Sequence, residues 1–203
     1  MLKIAIITGS TRPGRNNEQV ARWVLAQAQA RGDAEYSLLD IQDFHLPLLD
    51  EPLPAGYNQY QKEHTRAWSQ AVAPFDGYII VTPEYNHGPS AAIKNALDYL
   101  AVEWANKAMG FVGYGSAGGV RAVEQLRQVV GELQLADVRT QVQLSLFTDF
   151  ENFTVFKPQD MKGEDLNAML DQLLAWAGAL KPLRAGAETT EAASAEAEAL
   201  QNA

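Results

Sequence analysis

The chain has 203 residues, of which 47% are hydrophobic and 20% charged, a composition typical of a soluble globular domain with one sizeable core. It contains no cysteine, so disulfides, thiolate metal sites and cysteine nucleophiles are excluded. The formal net charge is −9. This acidic balance argues against nucleic acid as the main partner, because binding to a phosphate backbone needs a basic face.

The two ends of the chain carry little that points to a fold. Met1-Leu2-Lys3 and the residues after it lack the pattern of a signal peptide, and no apolar run is long enough to span a bilayer. We therefore expect a cytoplasmic protein without membrane insertion. Residues 185–203 are rich in alanine and glutamate and contain no basic residue. We expect them to form a low-complexity, disordered tail after a single domain at 1–184.

Strands and helices are predicted to alternate along the domain. The run at 3–8 is rich in isoleucine, which is typical of a strand buried on both faces of a parallel sheet. A helical period follows it, and the three prolines at 41–56 indicate an extended surface loop. The predicted strands cover residues 3–8, 34–40, 76–82, 109–114 and 137–146, and the predicted helices cover residues 17–31, 57–72, 90–104, 120–135 and 164–180.

This alternation predicts an α/β fold, a doubly wound five-stranded parallel sheet with helices on both faces. In the flavodoxin-like strand order 2-1-3-4-5, the first and third strands are neighbours at the point where the strand order reverses. Ligands bind such sheets there, beyond the carboxyl ends of the strands. Three loops of unusual composition leave those ends, at 9–17, 83–88 and 115–119, and we expect them to line one crevice.

The loop at 9–17 has the composition of an anion site. It lacks the lysine of a P-loop and the glycines of a dinucleotide fingerprint. Backbone N–H groups at the start of the following helix favour an anion. The alternative is an ordinary turn, in which the arginines face water and an asparagine caps the helix. The side chains that suit a phosphate monoester are Ser10, Arg12, Arg15, Asn16 and Asn17.

The loop at 115–119 matches a dinucleotide pattern that we regard as misleading. Gly113-Tyr114-Gly115-Ser116-Ala117-Gly118 reads G-x-G-x-x-G, but a dinucleotide fingerprint belongs to the first strand–helix turn and needs an acid at the end of the next strand. We interpret these glycines as allowing the backbone to approach a flat ring closely. Tight packing of the turn without a ligand is the alternative.

The loop at 83–88 carries the most specific pattern. It belongs to the run Thr82-Pro83-Glu84-Tyr85-Asn86, and the next helix contains Lys94-Asn95-Ala96-Leu97-Asp98. Together with Gly9-Ser10-x-Arg12-x-x-Arg15-x-Asn17 and the Gly115-Ser116 turn, these runs resemble the signature of the NADPH-dependent FMN reductase family in order and spacing. That family includes quinone, azo-dye and chromate reductases. The resemblance covers roughly residues 2–180.

The resemblance implies an enzyme, an FMN-dependent NAD(P)H oxidoreductase that transfers hydride from NADPH through flavin to a quinone, free flavin or similar small acceptor. It implies no catalytic acid–base pair, because the cofactor supplies the chemistry. Family members often have serine at position 15, so Arg15 contacts either the phosphate or the nicotinamide cofactor. The resemblance places the FMN phosphate on Ser10, Arg12, Arg15, Asn16 and Asn17, the isoalloxazine along Pro83, Glu84, Tyr85 and Asn86, and its pyrimidine edge near Gly115 and Ser116.

Other roles are also open from the sequence. A flavodoxin-type electron carrier that serves a protein partner is the alternative function, and a scaffold that keeps the fold without flavin is the third. The resemblance implies a homodimer or homotetramer, with Tyr99 and Trp104 as candidate contacts unless they pack in the core. Glu84 is more often structural in such a loop than a general base. His87 is near enough to line the substrate side, and the histidine spacing predicts no metal site.

Overall fold

The computed structural model describes residues 1–201, with side chains for residues 1–184. It contains a five-stranded parallel sheet in the order β2-β1-β3-β4-β5. The predicted strand order is therefore confirmed, and each predicted strand boundary lies within two residues of the observed one. The strands are β1 Lys3–Thr8, β2 Glu35–Asp40, β3 Gly77–Pro83, β4 Lys107–Gly115 and β5 Leu135–Ser145.

Five α-helices connect and follow the strands, and two 3₁₀ turns occupy the segment between β2 and the second helix. A short antiparallel hairpin, which the sequence did not predict, follows β5. The helices are α1 Asn17–Arg31, α2 Glu63–Val72, α3 Ala91–Asp98, α4 Val120–Glu132 and α5 Met161–Gln201; the turns are Ile41–Phe44 and Ala55–Tyr57; the hairpin strands are β6 Phe150–Glu151 and β7 Val155–Phe156.

The sheet separates two hydrophobic cores because alternate strand residues point to opposite faces. On one face Ile4 and Ile6 pack beneath α1 and α5. On the other face Ala5 and Ile7 belong to the core beneath α2, α3 and α4. Every residue of β3 and β4 is buried, which explains their nearly continuous apolar sequence. Helices on both faces leave the carboxyl edge of the sheet open to a ligand.

Three predicted helices are shorter than expected, and of these α4 differs least, ending at Glu132 rather than residue 135. α2 begins at Glu63 rather than residue 57, and α3 ends at Asp98 rather than residue 104. After α3 the chain turns back, and the indole of Trp104 donates to the carbonyl of Leu97 at 3.2 Å. Trp104 and Tyr99 have no exposed surface. The prediction that they contact another protomer is therefore wrong, and both side chains pack in the core.

The C-terminal helix is longer than expected at both ends. It begins at Met161 instead of residue 164, and its backbone continues through Pro182 to Gln201. The predicted disordered tail at 185–203 falls on residues whose side chains, and at 202–203 also the backbone, lie outside the described part. It therefore stays a prediction. Across the described residues, no helix is both long and apolar enough to cross a membrane.

Candidate functional site

The three loops singled out from the sequence meet at the carboxyl edge of the sheet. Gly9 N–H donates to the carbonyl of Val81 at 2.8 Å, and Glu84 N–H donates to the carbonyl of Tyr114 at 3.1 Å. These bonds hold the loops after β1, β3 and β4 side by side around a cleft of about 400 Å³. The cleft is lined by Arg12, Asn16, Pro83, Glu84, Tyr85, Tyr114, Gly115, Leu146 and Phe153.

Six of the eleven predicted site residues line this cleft, and five do not. Ser10 is buried beside it, with its hydroxyl 3.2 Å from the hydroxyl of Tyr85. Asn86 and Ser116 are exposed outside the lining. Arg15 and Asn17 lie behind the loop that contains them, where their side chains contact the protein. The crevice therefore lies where the sequence predicted it, but only some of the predicted residues line it.

Arg12 is the cation of the cleft. Its residue is exposed, and its guanidinium forms no hydrogen bond or ion pair with any residue in the described part of the chain. Arginine presents planar donors that match phosphate oxygens. Arg12 is thus available to an anion that enters the cleft.

Arg15 is held within the protein. Its side chain is 9% exposed and forms a two-pronged ion pair with Asp40 at the end of β2, and it also donates to the carbonyl of Ser10. Thr8 donates to the same carboxylate at 2.7 Å. Burial by itself raises the pKa of Asp40, but the hydrogen bonds from Arg15 and Thr8 outweigh it and leave the pKa below its ordinary value. These contacts favour a role in fixing the loop over direct contact with a phosphate.

The start of α1 has no side-chain cap among the described residues, and Asn16 there lines the cleft. Asn16 is the residue before the first helical turn, yet within the described structure its side chain caps no backbone N–H of the helix. Its amide donates instead to the carbonyl of Phe153 at 2.7 Å, and the amide of Asn17 donates to the carbonyl of Val81 at 2.8 Å. The alternative of an asparagine-capped turn is therefore not what forms. The first N–H groups of this 15-residue helix are left for an anion.

Glu84 has the structural role expected for it. Its side chain is 4% exposed and accepts hydrogen bonds from the backbone N–H of Arg121, at 3.1 Å, and from the Arg121 guanidinium. The same guanidinium lies 2.8 Å from Nε2 of His87. Because arginine can only donate, that nitrogen is the acceptor and the proton of a neutral ring lies on Nδ1. His87 is thus tied to Arg121, and it is not among the residues that line the cleft.

The glycines after β4 are explained by packing of their own turn. Gly118 and Gly119 have φ of +69° and +72°, and a Cβ on Gly119 would lie 2.6 Å from the nitrogen of Tyr114. A Cβ on Gly113 would lie 2.9 Å from the carbonyl oxygen of Gly118. For these three positions the structure favours tight turn packing over approach to a flat ring. Of these glycines Gly115 lines the cleft, and a Cβ there would lie 3.2 Å from the Cβ of Glu84.

Sequence reasoning missed three residues of the cleft wall. Tyr114 is 6% exposed, and burial raises the pKa of its hydroxyl, which therefore remains protonated at neutral pH. Its position, one residue before Gly115 at the end of a buried strand, was a usable signal. Leu146 and Phe153 come from the end of β5 and the hairpin after it. No local pattern indicated that this hairpin would return to the cleft.

Comparison with known proteins settles the family. Residues 2–149 match the sequence model of a family described as NADPH-dependent FMN reductase. The chain belongs to this family. It is accordingly a flavin-dependent NAD(P)H oxidoreductase, and FMN and NADPH are the cofactors of its chemistry. The resemblance drawn from the three loop motifs is confirmed.

Relatives and solved structures agree with this assignment. The chain is 39% identical to an NAD(P)H-dependent FMN reductase of Nectria sp over 158 residues, which cover 73% of this chain and 79% of the relative. It is 30% identical to a 2-hydroxy-1,4-benzoquinone reductase of Burkholderia sp over 86% of this chain and 96% of the relative. Its fold is similar to the flavoenzyme NAD(P)H:(acceptor) oxidoreductase FerB of Paracoccus denitrificans, with a TM-score of 0.68 at 20% identity over 88% of this chain and 98% of that one.

The residues of the cleft fit the FMN of an NADPH-dependent FMN reductase. The fit is tested by the uncapped start of α1 and the free guanidinium of Arg12, which together supply donors for one terminal phosphate. Pro83, Tyr85 and Leu146 supply apolar and aromatic surface nearby for a planar ring. A cleft that combines a cation with apolar and aromatic surface suits a molecule that carries both a phosphate and an aromatic ring system.

Proposed function

We propose that this protein oxidises NAD(P)H and passes the electrons to a quinone, a free flavin or a similar small aromatic acceptor. The observation that carries the proposal is the cleft at the carboxyl edge of the sheet, where Arg12 and Asn16, at the start of α1, share one space with Pro83 and Tyr85. A 2-hydroxy-1,4-benzoquinone reductase and a quinone reductase of Escherichia coli are among the relatives, which supports a quinone as the acceptor.

Arg12 and the first N–H groups of α1 bind the FMN phosphate in this proposal. Ser10 and Arg15 hold the loop from behind, since the carbonyl of Ser10 accepts from Arg15 and the Ser10 hydroxyl contacts Tyr85. The loop at 83–86 and Gly115 then border the isoalloxazine, whose chemistry when bound is hydride acceptance and onward electron transfer. The protein orients the ring, keeps water from one side of it and leaves room for the reactants.

The cleft residues are suited to orientation and not to proton transfer. Glu84 is committed to Arg121, and Tyr114 remains a neutral phenol because burial raises its pKa. This matches an enzyme whose cofactor carries the reaction.

An absorbance experiment tests the proposal and separates it from the electron-carrier alternative. The purified protein is loaded with FMN, freed of excess flavin and mixed with NADPH without oxygen. We expect the flavin band to bleach within a turnover and to return when a naphthoquinone is added. Bound FMN that NADPH does not bleach would point to a flavodoxin-type carrier. A preparation that does not retain FMN at all would contradict the proposal directly.

We further propose that the protein works as a homodimer or homotetramer in the cytoplasm. The loop between β2 and α2 exposes large apolar side chains, with Leu48 81% exposed and Tyr57 65% exposed. This loop is fixed to α3, because Asn95 accepts from Leu49 N–H at 3.0 Å. A fixed apolar surface suits a subunit contact. Light scattering of wild type and Leu48→Ser tests this, and a monomeric wild type would refute it.

A further inference from the structure

Phe153 occupies a backbone position that ordinarily favours glycine. It is the second central residue of the turn between β6 and β7, in which Thr154 N–H donates to the carbonyl of Glu151 at 3.1 Å. Asn152 and Phe153 have φ of +50° and +61°, as in a type I′ turn, for which Asn-Gly is the preferred pair. A bulky residue in this region is strained, and such strain concentrates at functional sites.

Burial of the phenyl ring does not account for this strain. Phe153 is 56% exposed, and its edge-to-face neighbour Phe147 is 67% exposed, with ring centroids 5.7 Å apart. Phe153 lines the cleft, whose wall it shares with Tyr85 and Leu146. The ring is therefore presented to the cleft and to solvent and is not part of a core.

The hairpin that carries Phe153 is hydrogen-bonded to the start of α1. Asn16 donates to the carbonyl of Phe153 at 2.7 Å, and Gln19 exchanges hydrogen bonds with Thr154 and Phe156 at 2.8 and 3.1 Å. Residues 16 and 19 belong to the start of α1, the element that faces the FMN phosphate. The match to the FMN reductase family ends at residue 149, so this anchored turn lies beyond the matched region.

We propose that Phe153 determines specificity for planar aromatic electron acceptors. Its ring, supported by Phe147, forms the outer wall of the cleft, and a flat acceptor lies against that wall. Aromatic faces stack favourably on one another, whereas a compact inorganic oxidant gains nothing from such a wall. The inference rests on the proposed function, because it concerns the acceptor that takes electrons in the same cleft.

Replacement of Phe153 by glycine removes the ring and suits the turn. Phe153→Asn, which also tolerates positive φ, serves as a second variant. Phe153→Tyr keeps the ring, and Val155→Ala is the matched control because Val155 is 52% exposed on the same hairpin. Each protein is assayed at saturating FMN and NADPH with a naphthoquinone and with ferricyanide. A structural role of the ring would lower the Tm of Phe153→Gly, whereas we expect the Tm to stay equal or rise as strain is released.

For Phe153→Gly and Phe153→Asn we expect the KM for the naphthoquinone to rise about tenfold, equivalent to about 1.4 kcal/mol. The KM for ferricyanide and the KM for NADPH should stay within about twofold of wild type, by the stacking argument above. Phe153→Tyr and Val155→Ala should resemble wild type. A readout without turnover is the Kd of 2-naphthol, a planar aromatic that accepts no hydride, for the FMN-loaded protein; it should rise by the same factor.

Three results would overturn this inference. The first is an unchanged quinone KM and an unchanged 2-naphthol Kd in Phe153→Gly. The second is a tenfold rise in the Kd of FMN with normal acceptor kinetics, which would assign Phe153 to the cofactor. The third is a Tm of Phe153→Gly well below that of Val155→Ala. Failure of the proposed function looks different, because wild type itself would then not oxidise NADPH.

Discussion

The ion pair between Arg15 and Asp40 is the contact whose loss should most strongly destabilise the loop at 9–17. Asp40→Asn keeps the size of the side chain and removes its charge. In the native protein the carboxylate accepts from Arg15, from Thr8 at 2.7 Å and from Gln42 N–H at 3.0 Å, and the two charged side chains are 9% and 18% exposed. The substitution leaves the Arg15 guanidinium without its anion in a mostly buried place.

The magnitude follows from that burial. Removal of one partner from a fully buried pair costs about 3–5 kcal/mol, and the partial exposure of Asp40 lets water replace some of the loss, so we expect about 2–3 kcal/mol. For a chain of this length, that corresponds to a fall in Tm of about 5–10 °C. The pKa of Asp40 lies below its ordinary value, so its contribution is complete above that ordinary value and is lost as the pH falls through the lowered pKa.

Urea unfolding and titration of FMN fluorescence provide the assays. The matched control is Asp98→Asn, because Asp98 pairs with Lys94 on the exposed face of α3, with side chains 37% and 45% exposed. That change should cost less than about 1 kcal/mol. The double variant Arg15→Met/Asp40→Asn should lose less than the two single losses added together, since no unpaired charge remains. If Asp40→Asn is no more destabilising than Asp98→Asn, and FMN binds equally well, the ion pair does not hold the loop.

Three other changes test separate parts of the structure. Arg12→Ala should raise the Kd of FMN about tenfold or more. It should leave the Tm unchanged, and also the Kd of riboflavin, because riboflavin has no phosphate. Equal effects on both flavins in fluorescence titrations would refute the assignment of Arg12 to the phosphate. Gly119→Ala should lower the free energy of unfolding in urea by about 2 kcal/mol or more, because a Cβ there would lie 2.6 Å from the nitrogen of Tyr114 at a φ of +72°. Gly131→Ala is the control. It should not be destabilising, because the space around Gly131 is open. Burial lowers the pKa of Lys107 to about 8, so the unfolded state binds the extra proton between about pH 8 and its ordinary pKa near 10.5. Its contribution to stability should therefore rise by up to about 1.4 kcal/mol per pH unit from pH 8 to 10, and this component should be missing from the stability of Lys107→Met in the same buffers.

The sequence predicted the sheet well because burial on both faces leaves a local signature. Ile79 and Ile80 lie in a strand whose every residue is buried, and such a run is visible without knowledge of any partner. The convergence of the three loops then followed from strand order alone. The end of α3 was missed because Trp104 is apolar enough to continue a helical pattern, while the observed turn depends on the indole reaching the carbonyl of Leu97.

The roles of individual site residues were less predictable because they depend on contacts between distant segments. Arg15 meets Asp40 because β1 and β2 pair in a register that places Thr8 opposite Asp40. Asn16 meets Phe153 only because the hairpin folds back over α1. Neither contact has a local pattern in the sequence. A polar residue in a predicted anion loop is therefore expected either to contact the ligand or to hold the loop in place, and only the folded structure shows which.

The distinction between residues that hold the loop and residues that contact the ligand has a measurable consequence. The Arg15 guanidinium and the side-chain amide nitrogens of Asn16 and Asn17 donate hydrogen bonds within the protein, so the loop is held before a phosphate arrives and binding has less conformational freedom to remove. Loss of a contact that holds the loop should therefore lower both the free energy of unfolding and the affinity for FMN. Loss of Arg12, whose guanidinium forms no hydrogen bond or ion pair among the described residues, should lower the affinity alone. Joint measurement of the two quantities distinguishes residues that hold the loop from residues that hold the cofactor.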